Sequence, residues 1–139
     1  MKEAANNKPD ANRELRGPTR VFLVDDDLTT VVLFERVLES VGYLVESTTD
    51  STKALAILQA NPEKFDVLVA DYSMPYLKGD ALVKEAQKSG FLGKTVIFSG
   101  RIPDDREAWR KSMGVDAAVE KCGADSLVQI PNQLTERKS

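Results

Sequence analysis

The chain has 139 residues, of which 42% are hydrophobic and 29% are charged, and this composition is typical of a single globular domain. Its formal net charge of −3 provides no basic field to attract nucleic acid, so we expect no direct nucleic-acid partner. The absence of histidine excludes a histidine-ligated zinc site and a Ser-His-Asp triad. The single cysteine, Cys122, excludes an internal disulfide and is consistent with a reducing, cytoplasmic environment.

The first 18 residues carry scattered charges, two prolines and no continuous apolar run. A secretory signal requires such a run, and the apolar runs elsewhere are too short to cross a membrane. We therefore expect a disordered N-terminal extension over residues 1–18, a folded domain over residues 19–139, and no membrane partner.

Beyond the extension, short apolar runs alternate with amphipathic segments. The first run, "RVFLV", ends in three acids, which is typical of a strand buried on both faces. The next segment places Phe34, Val37, Leu38 and Val41 at helical spacing, with a threonine available to cap the helix and Gly42 to end it.

The same alternation continues along the chain. It predicts strands over residues 20–24, 43–47, 66–70, 95–99 and 116–121, and helices over residues 29–42, 50–62, 79–90 and 103–114. The remaining residues have room for one more helix, which Pro131 should kink or divide. Five successive strand–helix units predict a doubly wound α/β fold, in which five helices cover both faces of a five-stranded parallel sheet.

Four of the predicted strands end on residues that can carry chemistry. The first strand is followed by three acids, Asp25 to Asp27, the third ends at Asp71, the fourth at Ser99 and the fifth at Lys121. Each has an ordinary explanation, such as a helix cap, a turn or a solvated lysine. A parallel sheet nevertheless brings all four to one edge, where ligands of such folds bind.

Together these residues suit phosphoryl chemistry. Clustered carboxylates repel one another unless they are protonated or bridged by a cation. Mg²⁺ is the natural bridge, because it prefers oxygen ligands and binds through one or two carboxylates plus a phosphate. Asp71 can then act as a nucleophile and form an aspartyl phosphate, while Lys121 and Ser99 can contact the phosphoryl oxygens.

The segments "VFLVDDD", "DVLVADYSMPYLKG", "TVIFSG" and "AAVEK" occur in the order and at the spacings of the response-regulator receiver domain of two-component signalling, which the chain resembles from residue 20 to about residue 130. The resemblance implies a flavodoxin-like fold of the receiver type. It implies a phosphoacceptor that takes its phosphoryl group from a histidine kinase or a histidine phosphotransfer protein and then signals to a downstream protein or through a homodimer. It also implies no enzymatic activity beyond the domain's own phosphorylation and dephosphorylation.

The resemblance also assigns roles to individual residues. Asp71 matches the phosphoacceptor and a metal ligand. Asp26 would bind Mg²⁺ directly, Asp25 largely through water, and Ser73 through its backbone carbonyl. In addition, Ser99 matches the switch hydroxyl of the family, and Lys121 matches its characteristic lysine.

Two positions depart from the family pattern. Cys122 stands where the family commonly has proline, and Ala118 stands where it tends to have an aromatic residue. A methyl group at position 118 cannot swing into the space that the switch hydroxyl of Ser99 would vacate. We therefore expect a muted response of the fourth helix, with little change at Trp109, which we interpret as a packing residue.

A haloacid-dehalogenase-type phosphatase is the alternative, because "DDDLT" fits its first signature. Asp25 would then be the nucleophile and Asp27 the acid/base. That family also requires an acidic pair beyond the lysine, where only the well-separated Asp125 and Glu136 remain, and it leaves Asp71 unexplained. A degenerate receiver that acts only as a binding module is a third alternative, although every site residue is present.

The residues after Lys121 are too few for a helix-turn-helix unit in addition to a last helix. We therefore expect either a stand-alone regulator or a receiver from a hybrid kinase.

Overall fold

The computed structural model describes residues 17–121 and 124–135, with the backbone alone for 124–126. Residues 1–16, which form most of the predicted disordered extension, lie outside the described residues, as do Cys122 and Glu136. No helix in the described part of the chain is both long and apolar enough to cross a membrane.

Five strands and five helices alternate in this region. They are β1 (Arg20–Val24), α1 (Leu28–Ser40), β2 (Leu44–Thr48), α2 (Ser51–Ala60), β3 (Val67–Asp71), α3 (Gly79–Lys88), β4 (Lys94–Ser99), α4 (Arg106–Met113), β5 (Ala117–Glu120) and α5 (Ala124–Thr135). All neighbouring strands are parallel, and their order is β2-β1-β3-β4-β5. The predicted doubly wound five-stranded sheet with five helices is confirmed.

The sheet separates two hydrophobic cores. Phe22 and Val24 of β1 belong to the core covered by α2, α3 and α4, whereas Val21 and Leu23 belong to the core covered by α1 and α5. Because side chains alternate between the faces of a strand, a strand covered on both faces must be apolar at nearly every position. This explains the continuous apolar runs of β1 and β3, which are buried almost throughout.

The ends of α1 differ in detail from the prediction. Its N-cap is Asp27 rather than a threonine, and the hydroxyl of Thr30 donates to the Asp27 carboxylate at 2.7 Å. Gly42 follows the helix with a φ of 103°, a conformation that glycine adopts without strain. Val41, which stands at helical spacing with Phe34 and Leu38, is the C-cap residue and is 51% exposed, whereas the other two are buried.

The last helix, α5, is continuous through Pro131, so this proline does not divide it as predicted. Proline removes one intrahelical hydrogen bond, but tertiary contacts hold the helix on both sides of that position. Before the proline, Leu127 is fully buried and the Tyr43 hydroxyl donates to the Val128 carbonyl; after it, the Asn132 N–H donates to the Tyr43 hydroxyl at 3.3 Å.

The strand order reverses direction at β1, whose two neighbours are β2 and β3. In open α/β sheets this topological switch point opens a crevice at the carboxyl ends of the strands. Val24 of β1 pairs with Ala70 of β3, so the next residues along the two strands, Asp25 and Asp71, emerge side by side at the crevice.

Candidate functional site

Three carboxylates meet at the switch point. Asp25 is fully buried and Asp71 is only 5% exposed, whereas Asp26 is exposed. One oxygen from each of the three lies within 4.8 Å of the other two. Such a group is electrostatically unfavourable unless a cation or a proton compensates it.

Lys121 supplies a compensating positive charge. Its Nζ lies 2.7 Å from Asp25 Oδ2 and 3.1 Å from Asp71 Oδ1. The residue follows β5, and its backbone N–H donates to the Ser99 carbonyl at 2.9 Å, which continues the pairing of β4 with β5. The sheet therefore positions the lysine although Lys121 is 50 or more residues away from either acid in sequence.

The pKa of the Asp71 carboxyl is raised to about 6. Burial is the main cause, the negative charge of Asp25 is the second, and Lys121 opposes both. Burial also tends to lower the pKa of Lys121, but the two carboxylates outweigh it, so the pKa of the lysine is raised. At neutral pH the lysine is therefore protonated, and Asp71 lies close to its titration range.

Asp25 provides a direct test of whether a metal ion fits this pocket. Its Oδ1 accepts the backbone N–H of Asp27 at 2.9 Å. Its Oδ2 is buried without a hydrogen-bond donor among the described residues, apart from the ion pair with Lys121. A hard cation such as Mg²⁺ prefers carboxylate oxygens as ligands, and this buried oxygen lies beside two further carboxylates. The residues present therefore fit a divalent metal.

The third acid of the triplet, Asp27, does not join this group. Its carboxylate accepts the Thr30 hydroxyl, which lowers the pKa of Asp27. The phosphatase alternative requires Asp25 and Asp27 to act together. In the structure, Asp25 lies beside Asp71 instead.

Ser99 lies at the end of β4, as predicted, but its hydroxyl is turned to its own loop. It donates to the Arg101 carbonyl at 2.9 Å, so it does not contact the carboxylates. Ser73 is exposed two residues beyond Asp71, and the predicted role of its carbonyl as a metal ligand remains a prediction.

The loop after Asp71 is held tightly by Gly79. The Gly79 N–H donates to the Tyr72 carbonyl at 3.0 Å, and a Cβ at position 79 would lie 2.3 Å from the Asp71 carbonyl oxygen. Since real side chains essentially never approach that closely, the absence of a side chain at Gly79 allows the main chain of Asp71 to take its place.

One feature beside the site was not predicted from the sequence. The ring of Tyr72 contacts the ring of Trp109 edge-to-face, with centroids 5.3 Å apart, and Lys78 Nζ lies 5.3 Å from the centroid of the Tyr72 ring. A cleft of about 610 Å³ lies alongside, lined by Tyr72, Arg101, Ile102, Pro103, Asp104 and Trp109. Trp109 was correctly interpreted as a packing residue, but its partner lies 37 positions away and no periodicity links the two.

The fold and the site together define an α/β domain with a buried acidic pocket, closed by a lysine, at its topological switch point. Comparison with known proteins shows to which family the domain belongs. The family model described as the response regulator receiver domain matches residues 21–130. Since this match covers most of the chain, the chain belongs to the receiver domain family of two-component signalling. Receiver domains are signalling modules rather than classical enzymes, and the phosphatase alternative is therefore wrong.

Individual relatives agree with this assignment. The chain is 38% identical over 65 residues to the two-component response regulator ARR12 of Arabidopsis thaliana, which covers 47% of this chain and 11% of ARR12. It is 29% identical over 114 residues to the sensor kinase CckA of Brucella abortus, which covers 82% of this chain and 12% of the kinase. The chain thus spans about a tenth of either relative.

Among solved structures, the receiver domain of the Francisella response regulator 1452 superimposes with a TM-score of 0.75 at 26% identity, covering 84% of this chain and 96% of that one.

Proposed function

We propose that Asp71 is the phosphoacceptor of this receiver and takes its phosphoryl group from the phosphohistidine of a histidine kinase or a histidine phosphotransfer protein. The observation that carries this proposal is the joint ion pairing of Asp25 and Asp71 with Lys121, at 2.7 Å and 3.1 Å. Of the two buried acids, Asp71 is the one that retains some exposure, as a group that meets a phosphodonor must.

In the proposed transfer, a carboxylate oxygen of Asp71 attacks phosphorus while the N–P bond of the phosphohistidine breaks. The imidazole nitrogen keeps the electron pair of that bond, and Asp71 becomes an acyl phosphate. Only the ionised carboxylate is nucleophilic, and a pKa of about 6 leaves most of Asp71 ionised at pH 7. Lys121 stabilises the negative charge on the phosphoryl oxygens as they approach.

We further propose that Asp25, Asp26 and Asp71 hold Mg²⁺, with the Ser73 carbonyl as an additional ligand. When bound, the ion would supply positive charge that neutralises the phosphoryl oxygens. Two observations support these ligands: Asp25 Oδ2 is buried with only the Lys121 ammonium beside it, and the three acids lie close together. Lys121 alone neutralises less than the total charge of three carboxylates.

On phosphorylation, Ser99 would exchange its hydrogen bond to the Arg101 carbonyl for one to a phosphoryl oxygen. We propose that the signal then leaves through protein contacts, to a downstream protein or a second copy of this chain. We also propose that the receiver occupies residues 19–139, preceded by an extension over 1–18, and that it acts in the cytoplasm.

Phosphorylation by acetyl phosphate tests the proposal without a cognate kinase. With Mg²⁺, intact mass spectrometry should find one added phosphoryl group on the parent protein and on Asp27→Asn, and none on Asp71→Asn. Addition of EDTA should abolish the modification. A parent protein that is modified equally well in EDTA would contradict the metal requirement, and a modified Asp71→Asn would contradict the assignment of the phosphoacceptor.

A further inference from the structure

The residue next to the proposed phosphoacceptor makes an aromatic contact with a different helix. Tyr72 follows Asp71 directly, and its ring meets the ring of Trp109 at a centroid distance of 5.3 Å and an interplanar angle of 62°. Trp109 lies in α4. Edge-to-face contacts of this kind depend on geometry, because the positive edge of one ring faces the negative face of the other. A small displacement of either ring therefore changes the contact.

The main chain of Tyr72 is held from two sides. Its N–H donates to the Phe98 carbonyl of β4 at 3.3 Å, and its carbonyl accepts the Gly79 N–H at the start of α3 at 3.0 Å. The ring is also close to a charge, since Lys78 Nζ lies 5.3 Å from its centroid. Tyr72 is thus in contact with α3, β4 and α4, and it shares a peptide bond with Asp71.

Other routes from the acidic pocket to α4 are weak. The Ser99 hydroxyl is engaged with the Arg101 carbonyl in its own loop. Strand β5 offers only the small side chains of Ala117, Ala118 and Val119 before Glu120, and none of these can fill a changing space by rotating a ring. Between α4 and β5, Arg106 and Glu120 form a long, exposed ion pair at 3.9 Å, and such a pair contributes little in water.

We propose that the Tyr72–Trp109 ring pair couples phosphorylation of Asp71 to the position of α4. A phosphoryl group on Asp71 displaces the Asp71–Tyr72 main chain, the Tyr72 ring moves with it, and the Trp109 contact transmits the change to α4 and to the adjoining cleft at Arg101 to Asp104. The inference rests on the proposed phosphoacceptor role of Asp71. The sequence, through Ala118, predicts a muted response of the fourth helix; the ring pair leads us to expect a clear response instead.

A double-mutant cycle distinguishes a switch from a merely structural contact. The parent, Tyr72→Leu, Trp109→Leu and the double variant are unfolded by urea with and without Mg²⁺ and beryllofluoride, a stable mimic of the phosphoryl group. The interaction between the two substitutions should differ between the two conditions if the ring contact changes on activation. An identical interaction in both conditions would overturn the proposal, because a ligand shifts only those equilibria in which it favours one state.

Amide chemical shifts provide the second readout. With saturating Mg²⁺ and beryllofluoride, residues 106–113 of the parent should shift clearly, and in Tyr72→Leu these shifts should fall by at least half. The control is Tyr76→Leu, because Tyr76 lies in the same loop but is 91% exposed; it should retain the full response. A full α4 response in Tyr72→Leu would contradict the coupling.

The two proposals can fail separately. Acetyl phosphate labelling, measured by intact mass on the same samples, reports on the phosphoacceptor alone. If the parent is fully labelled but the amide shifts of residues 106–113 do not change, the coupling proposal is wrong and the assignment of the phosphoacceptor is retained. If the parent is not labelled at all, both are wrong.

Discussion

The acidic pocket and the α4 side of the molecule are built in different ways. In the pocket, buried Asp25 and Asp71 at the ends of β1 and β3 are joined by short ion pairs to half-buried Lys121 at the end of β5. On the α4 side, the Ser99 hydroxyl bonds within its own loop, residues 103–108 are exposed, and a ring pair connects α4 to the loop after Asp71. Electrostatic interactions therefore dominate the free energy of the pocket, whereas the α4 side can change its conformation at a lower cost in free energy. Substitutions should have large effects in the first region and small effects in the second.

The largest effect should come from Lys121→Met. This change leaves Asp25 and Asp71 buried without their cation, and removing one partner of a buried ion pair costs about 3 kcal/mol or more in the free energy of unfolding. Urea unfolding in EDTA at pH 7.5 measures the loss, which should shrink below pH 6 as Asp71 takes up a proton. Lys88→Met is the control, since the Lys88–Glu85 pair is exposed and should contribute less than about 1 kcal/mol. Equal losses in the two variants would contradict the contrast between the regions.

Asp71→Asn should have the opposite sign. The pKa of Asp71 is raised in the folded protein to about 6, above the usual range of an aspartate, so ionised Asp71 destabilises the fold. This destabilisation is absent below about pH 4, grows as the pH rises through the folded pKa of about 6, and reaches its full size above about pH 7.

In the absence of metal, Asp71→Asn should therefore be more stable than the parent at pH 7.5 and nearly equal to it at pH 4. Thermal unfolding across this range measures the difference, and saturating Mg²⁺ should reduce it by stabilising the parent more than the variant. A gain in stability that does not depend on pH would show that the charge of Asp71 is not its cause.

Gly79→Ala should have an intermediate effect. The new Cβ would lie 2.3 Å from the Asp71 carbonyl oxygen, so the loop must shift, at a cost of about 1–3 kcal/mol. Phosphorylation by acetyl phosphate should slow as well, because the shift moves Asp71. The matched control is Gly100→Ala, since a Cβ at Gly100 meets nothing within 4 Å. Comparable destabilisation in the control would rule out the close approach as the cause.

The smallest effect on stability should come from Ser99→Ala. Its hydroxyl makes only the local hydrogen bonds to Arg101, and surface changes of this kind usually stay within about 0.5 kcal/mol. Urea unfolding of the unphosphorylated protein measures the change. A loss comparable to that of Lys121→Met would mean that Ser99 is part of the electrostatic pocket after all.

The two regions also differ in how far the sequence predicts them. The acidic pocket can be predicted from the strands, because the carboxyl ends of parallel strands share one edge of the sheet. Asp25 and Asp71 directly follow apolar runs, and Lys121 follows one after a single glutamate. The strands themselves were predicted to within a residue or two for the same reason. These features depend on local patterns and on one general rule of topology.

The remaining features depend on contacts that no local pattern encodes. The contact of Tyr72 with Trp109 is set by tertiary packing. The continuity of α5 through Pro131 has the same origin, since buried Leu127 and the Tyr43 contact outweigh the local preference of proline. Val41 keeps the helical spacing of Phe34 and Leu38 but lies one residue beyond the helix, at its C-cap, so spacing alone does not predict its exposure.

Chemical mapping of the phosphorylated side chain identifies the phosphoacceptor. The parent protein is treated with acetyl phosphate and Mg²⁺ and then reduced with borohydride, which converts an aspartyl phosphate into homoserine, and its peptides are sequenced by mass spectrometry. We expect homoserine at position 71 and unchanged aspartate at positions 25, 26 and 27. Homoserine at position 25, with Asp71 unmodified, would contradict this expectation.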